Sequence, residues 1–278
     1  MNETFDELRV KRIGGSPEKA LSNSFTLDAN VILQEAWELT KVTKGPFLVG
    51  AIIIYFITLL GTIIFDPLQG DLTIIEDISE VPWGFIASQL AMQIVAAVLL
   101  AGLINMGLRN AVRYVRSSEN ELTVVPENKP TMVFDHLLRA WPIVAVELIK
   151  LLGLVVIMYL GFLIGSLFQI SLRTFFGFWM IFGVTFTIGL SLAIPLVIKD
   201  QLNPLKAVRV SLRVISRQFF AFATIYMVMS ILAVLAVLTF GIGFIWVIPM
   251  FYNVKGILYR EVFGIETHVK ATDTYSQI

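Results

Sequence analysis

The sequence contains no cysteine and only two histidines among its 278 residues. The lack of cysteine excludes disulfide bonds, thiolate nucleophiles and cysteine-ligated metals, and it leaves the redox compartment undecided. His136 and His268 stand alone, without the HExxH spacing or the acidic cluster that a metal centre needs. The chain also has no phosphate-binding loop, dinucleotide fingerprint or nucleophile elbow. We therefore expect neither a metal nor a cofactor, and no enzymatic activity.

Charged residues are scarce, at 15% of the chain, whereas hydrophobic residues make up 56%. Soluble domains carry about a quarter charged residues, so this composition predicts an integral membrane protein. The formal net charge is zero, which gives no reason to expect a nucleic-acid partner. The residues before Gly45 are polar or amphipathic, and this argues against a cleavable signal peptide.

Six apolar runs each approach the ~20 residues that span ~30 Å of hydrocarbon. They predict an all-α fold, a polytopic transmembrane helical bundle of six spans in three hairpins. The last hairpin turns at Gly241-Ile242-Gly243, because glycine accepts the positive φ angles of a tight turn. We place the spans at Pro46–Phe65, Gly84–Leu108, Glu147–Phe168, Phe176–Ile198, Phe219–Phe240 and Phe244–Val262.

Amphipathic segments precede three of these spans, at residues 28–44, 131–146 and 204–218. We expect each segment to lie on the membrane surface as an interfacial helix. Gly45-Pro46 is expected to end the first of them before the chain enters the bilayer. The predicted division of the chain is a flexible tail at 1–27, a six-span membrane domain at 28–263 and a C-terminal tail at 264–278.

Lys and Arg are concentrated in four segments: the N-terminal segment, the segments after spans two and four, and the C-terminal end with Lys255, Arg260 and Lys270. The opposite loops hold only Arg173, and Lys150 lies at the edge of a span. Because Lys and Arg are retained on the cytoplasmic side, both termini and the three interfacial helices are predicted to be cytoplasmic.

The most regular amphipathic segment begins at Asn203-Pro204, where Asn suits the N-cap and Pro suits the first helical position. Its basic residues fall on one narrow stripe, opposite an apolar face. We predict that this stripe binds anionic lipid headgroups, and retention of topology by the positive-inside effect is the alternative. The stripe consists of Lys206, Arg209, Arg213 and Arg217.

Polar residues inside the spans are few. Gln89 and Gln93 stand one helical turn apart in span two and predict either a polar path or hydrogen bonds between helices. Glu147 and Lys150 are spaced to form an ion pair on one helix face at the inner interface, and a substrate role is the alternative. No acid or base is placed near the middle of a span, which argues against ion-coupled transport.

The residues that join span four to the next helix resemble a known group of membrane proteins. Pro195-Leu196-Val197-Ile198-Lys199-Asp200, with Ala207 and Ser211 following, resembles bacterial six-span inner membrane proteins of the YciC type and the membrane domain of some glycerophosphodiester phosphodiesterases. The closing hairpin, from Gly241 through Pro249 to Tyr259, is similar to that group as well. The resemblance implies a multi-pass protein of the bacterial inner (plasma) membrane and implies no reaction. We expect Pro195, Asp200 and Pro249 to define this structural junction.

Two functions remain open on these grounds. The first is a non-enzymatic membrane protein that organises anionic lipids or partner proteins through its basic interfacial helices. The alternative is a transporter or channel for a small or lipidic solute, with a path near Gln89, Gln93 and the Pro195/Pro249 pair. Membrane lipids are the expected partners in both cases, and a second copy of the chain or another membrane protein is left open.

Overall fold

The computed structural model describes residues 9–22, 24–65, 67, 82–113, 121–124, 127–168 and 172–271. Within these ranges the chain is predominantly helical, which confirms the helical fold class. The helices are α1 (Pro17–Ser22), α2 (Ala29–Phe65), α3 (Trp83–Arg113), α4 (Trp141–Leu167), α5 (Leu172–Gly189), α6 (Ala193–Lys199), α7 (Pro204–Arg217), α8 (Phe219–Leu238) and α9 (Phe244–Phe263). The strands are β1 (Arg9–Ile13), β2 (Glu121–Val124) and β3 (Ile265–Ala271).

Five of the described helical stretches are long and apolar enough to cross a membrane: α2, α3, α4, α8 and the pair α5 and α6 from Thr174 to Lys199. The chain is thus a multi-pass membrane protein by the length and composition of its helices. The sixth predicted span coincides with α9, but α9 is not among the five. From Asn253 onward α9 carries Asn253, Lys255, Arg260 and Glu261, which lower its hydropathy.

The fourth predicted span is interrupted at residues 190–192, where α5 ends and α6 begins. Pro195 has no N–H to donate, and its ring crowds the preceding turn, so the helix tightens there. Ala193 N–H donates to the Leu190 carbonyl and leaves the carbonyl of Gly189 without its helical partner. The hydroxyl of Ser211 in α7 donates to that carbonyl at 2.7 Å. This bond joins the interrupted span to the helix that follows it.

The predicted surface helix at 28–44 is not a separate element. It continues through Gly45 and Pro46 into the first span, so that α2 is a single helix. Its first half packs on α3 and α9 and buries Ile32, Ala36 and Leu39. This packing outweighs the single helical hydrogen bond lost at Pro46, and the prediction that Gly45-Pro46 ends the helix is wrong.

The prediction of a second surface helix, at 131–146, is also wrong. The segment forms two short 3-10 turns, Pro130–Phe134 and Leu137–Arg139, and α4 then begins at Trp141. Proline at the start of the first turn and Pro142 early in α4 set these boundaries. The third segment is confirmed as a helix, since α7 runs from Pro204 to Arg217 and Asn203 caps it by accepting from the Leu205 N–H.

The predicted tails contain a small sheet that the all-α prediction lacks. β3 lies between β1 and β2 and is antiparallel to both. Arg12 and Glu266 face each other across β1 and β3, and their side chains form an ion pair of 2.7 Å. Residues 9–22 and 265–271 are therefore folded structure, and residues 1–8, 23 and 272–278 lie outside the described residues.

A polar core fixes the end of the bundle next to this sheet. Arg260 of α9 is buried and donates to both carboxylate oxygens of Glu35 in α2 and to the Ala111 carbonyl in α3. One helical turn before Arg260, Gly256 of α9 packs against Gly107 of α3. The two backbones are so close that a Cβ on Gly256 would lie 2.1 Å from the Gly107 carbonyl oxygen. The helices α2, α3 and α9 thus form the centre of the fold.

Candidate functional site: a polar cavity among the apolar helices

A cavity of about 540 Å³ lies among α2, α3, α4, α6 and α9. Its walls combine apolar side chains with a group of polar and charged ones that belong to four different helices. Two of them are the glutamines that the sequence singled out, and their predicted role in a polar path stays a prediction. The polar and charged lining residues are Thr58, Thr62, Gln89, Gln93, Glu147, Lys150, Tyr252 and Lys255.

Glu147 is the buried acid of this cavity, with 3% of its surface exposed. The ammonium of Lys150, one helical turn later in α4, lies 2.5 Å from Glu147 Oε1. The amide nitrogen of Gln93 in α3 donates to the same oxygen at 3.0 Å. The predicted ion pair is confirmed, and the hydrogen bond from Gln93 ties it to a second helix. A buried carboxylate needs such partners, because the desolvation of an unpaired ion costs several kcal/mol, roughly.

Lys255 is the residue of the cavity that sequence reasoning missed, since it was counted among the cytoplasmic charges at the C-terminal end. Its ammonium lies 4.8 Å from the ring centroid of Phe251, one helical turn earlier in α9. It forms no ion pair with any carboxylate in the described part of the chain. The sequence did contain one signal. Lys255 lies about 16 Å along the helix axis from Phe244, where α9 begins, at 1.5 Å per residue, and this is about half of the ~30 Å of hydrocarbon that a span crosses.

The charges of the lining side chains do not cancel. Glu147 and Lys150 neutralise each other, and Lys255 leaves the described walls of the cavity with one excess positive charge. A cation–π contact with Phe251 stabilises that charge by about 0.5–2 kcal/mol, which is small against the cost of burying an ion. The site therefore favours an anionic group near Lys255.

An apolar groove of about 310 Å³ adjoins the cavity and lies among α2, α3, α8 and α9. It shares three lining residues with the cavity, namely Leu100, Phe251 and Tyr252. The rest of its lining is almost entirely aliphatic or aromatic, with Ser230 and Tyr226 as the polar exceptions. A polar compartment and an apolar compartment are thus separated by one layer of side chains.

The basic stripe of α7 lies elsewhere, on the outer face of that helix. All four of its members are exposed, whereas Ala207, Ser211 and Val214 on the opposite face are buried. The guanidinium of Arg217 donates to the Leu21 carbonyl, which holds the end of α7 against α1. The stripe predicted from the sequence is therefore an exposed basic surface, separate from the cavity.

The junction residues do not line the cavity. Pro195 and Pro249 are buried in α6 and α9, and only their neighbours Ile194 and Ile248 line the cavity and the groove, respectively. Asp200 accepts a 2.6 Å hydrogen bond from the hydroxyl of Tyr259 in α9.

A third space surrounds His136, which lies in the connection between α3 and α4, and its walls come from that connection, the start of α4 and the end of α6 with the residues after it. The imidazole Nε2 of His136 is buried without a hydrogen-bond partner in the described residues. Burial lowers the pKa of His136 below its usual value, and Asp135 opposes this shift. No group of three or more His, Cys, Asp or Glu that could hold a metal occurs in the described residues.

No protein-family model, curated protein or solved structure matches this chain. The resemblance drawn from the junction at Pro195 and Asp200 therefore stays a prediction. What the chain can do has to be argued from the cavity, the groove and the basic stripe.

Proposed function

We propose that this protein carries a lipidic solute across the membrane through the polar cavity. Lys255 supports this proposal most directly, because it places a cation without a described counter-ion among helices built for a lipid environment. An ionisable residue in a membrane helix costs about 2.5–3.5 kcal/mol by insertion scales, so it is retained chiefly where it serves a pathway or a ligand. The sequence argument against transport rested on the absence of such a residue, and Lys255 removes that argument.

The transport proposal includes a sixth crossing by α9. Strand β3 pairs with both β1 and β2, so these strands lie at one end of the bundle. A sheet with free edges does not occur in hydrocarbon, so this end projects from the membrane. Apart from the short 3-10 turns and the amphipathic helix α7, four helical segments separate β2 from β3, namely α4, the pair α5 and α6, α8 and α9. An even number of crossings is needed to return to the same side, which supports α9 as a span.

We further propose that this end faces the cytoplasm of a bacterial cell, and that the membrane is the inner membrane. The support is the concentration of Lys and Arg in the segments that meet there, which is the pattern retained on the cytoplasmic side. The sheet includes segments from near both termini and from the connection between α3 and α4.

The second candidate function is the organisation of anionic lipids by α7. The observation in its favour is that Lys206, Arg209, Arg213 and Arg217 are all exposed on one face. Each basic residue near an anionic surface contributes about 1 kcal/mol to binding. Reversal of charge at Arg209 and Arg213 is expected to weaken binding of the purified protein to anionic vesicles, and unchanged binding would contradict this candidate.

The transport proposal is tested in proteoliposomes that contain a trace of fluorescent NBD-labelled phospholipid in both leaflets. Dithionite bleaches only the outer leaflet, so protein-dependent movement of lipid appears as bleaching beyond about half of the signal. We expect such movement with the wild-type chain and little in protein-free vesicles. Bleaching equal to that of protein-free vesicles, with correctly inserted protein, would overturn the proposal.

A further inference from the structure

We infer that the cavity and the groove form one binding site for a lipid whose headgroup carries a single negative charge. The headgroup would lie against Lys255 in the cavity, and one acyl chain would lie in the groove. This inference rests on the proposed function and names the class of its solute. It commits to a membrane lipid because a free anion would have no use for the groove.

The charge of the headgroup follows from the described walls of the cavity. Glu147 has two donors already, Lys150 and Gln93, and is satisfied without a ligand. Lys255 contacts an aromatic ring, and the carboxylate whose charge acts on it is that of Glu147, which is already paired with Lys150. One negative charge, as in a phosphodiester, brings the cavity to neutrality. A zwitterionic headgroup would bring a third cation into a space that already holds two ammonium groups, those of Lys150 and Lys255.

The direction of the lipid follows from the spacing along α9. Val247, Phe251 and Lys255 succeed one another at intervals of four residues and so lie on one face of the helix. Val247 lines the groove, Phe251 lines both spaces, and Lys255 lines the cavity. A chain that leaves a headgroup at Lys255 thus enters the groove within about 12 Å of helix axis.

Phe251 forms the boundary that such a lipid has to displace. Its ring contacts the ammonium of Lys255 and makes edge contacts with Tyr226 and Tyr252, at centroid distances of 6.2 and 5.5 Å. An anionic headgroup replaces the ring as the partner of Lys255, since an ion pair in a water-poor site is stronger than a cation–π contact. Loss of the cation–π contact frees the ring to move, and the two compartments then become one.

The site is tested by native mass spectrometry of the full chain with equal amounts of phosphatidylglycerol and phosphatidylcholine that have identical acyl chains. The variants are Lys255→Met, Lys255→Arg, which keeps the charge, and Ala233→Phe, which fills the groove. The matched control is Lys41→Met, because Lys41 is an exposed lysine that forms a surface ion pair with Glu38, outside the cavity. Each variant is first checked for a monodisperse elution profile and for its helical circular dichroism.

We expect the wild-type chain and the Lys41 control to retain phosphatidylglycerol in preference to phosphatidylcholine. Lys255→Met is expected to reduce that preference at least tenfold, Lys255→Arg to restore most of it, and Ala233→Phe to weaken retention of both lipids. The soluble headgroup glycerophosphoglycerol, which lacks chains, is expected not to compete. A preference unchanged in Lys255→Met, or full competition by the soluble headgroup, would overturn the inference. If Ala233→Phe alters the elution profile, the test is decided by the Lys255→Met and Lys255→Arg variants alone.

The two proposals fail in different ways. Retention of phosphatidylglycerol that depends on Lys255, without movement of NBD-labelled phosphatidylglycerol between leaflets, would refute transport and leave the binding site intact. Movement of NBD-labelled phosphatidylglycerol and phosphatidylcholine at equal rates, with no effect of Lys255→Met, would refute the anionic site and leave transport intact.

Discussion

Replacement of Ser211 by alanine removes the hydroxyl that pairs with the Gly189 carbonyl where span four is interrupted. Ser211 is fully buried, so water cannot replace the lost donor. An unsatisfied buried carbonyl costs roughly 1–3 kcal/mol. For a chain of this size, each kcal/mol lowers the midpoint of thermal unfolding by about 2–4 °C. We therefore expect Ser211→Ala to unfold roughly 2–12 °C below the wild type, measured by tryptophan fluorescence in detergent.

The control is Ser216→Ala on the same helix. Ser216 is exposed and donates only to the Arg213 carbonyl of its own helix, so its loss is expected to shift unfolding by less than a degree or so. A second background tests the cause. Pro195→Ala removes the ring that crowds the preceding turn and supplies an N–H for the Ser191 carbonyl, which allows the helix to close. The Ala193 N–H can then return to the Gly189 carbonyl, and the cost of Ser211→Ala is expected to shrink there. An equal cost in both backgrounds would refute the link between the interrupted helix and Ser211.

Three further changes are expected to affect stability. Arg260→Met removes the partner of the Glu35 carboxylate and is expected to cost roughly 1–3 kcal/mol, measured by thermal unfolding, because water reaches the 30%-exposed Glu35 and offsets part of the loss, whereas a loss below about 0.5 kcal/mol would contradict a stabilising ion pair. Gly256→Ala drives a methyl group into the Gly107 carbonyl and is expected to cost about 1–3 kcal/mol in the same assay, and an unchanged midpoint would show that α3 and α9 separate freely. His136 has a lowered pKa in the folded state, so the unfolded chain takes up its proton first and stability falls as pH drops below about 6.5. Between pH 7.5 and pH 5, the midpoint temperature of thermal unfolding is expected to fall less in His136→Gln than in the wild type. An equal fall in both proteins would rule out His136 as the source of the pH dependence.

The sequence was informative where one helix decides the outcome by itself. The bounds of α7, its N-cap at Asn203 and the exposed stripe follow from local periodicity and capping. The pair of Glu147 and Lys150 also follows, because both residues lie on one helix face. These features need no knowledge of neighbouring helices.

Sequence reasoning failed for the features that depend on contacts with other helices or strands. Pro46 is tolerated inside α2 because α3 and α9 pack against that helix, and nothing local reports this packing. Lys255 was assigned to the membrane surface from its proximity to the C-terminal end, although α9 carries it to the cavity. The sheet was missed because β3 forms its ladder with strands more than a hundred residues away in the chain. Ser211 carried a recognisable motif, but its role depends on a carbonyl that only the interrupted helix exposes.

The three-stranded sheet also constrains the order in which the chain can be completed. β3 is its central strand and follows α9, so neither β1 nor β2 has a ladder partner in the described sheet until α9 has been synthesised. In the proposed six-span topology, the connection after α3 and the segment before α1 have no β3 to pair with while the later helices are inserted. Closure of the sheet is then a late check that these helices have crossed the membrane an even number of times. A helix that failed to cross would leave β3 on the opposite side from β1 and β2.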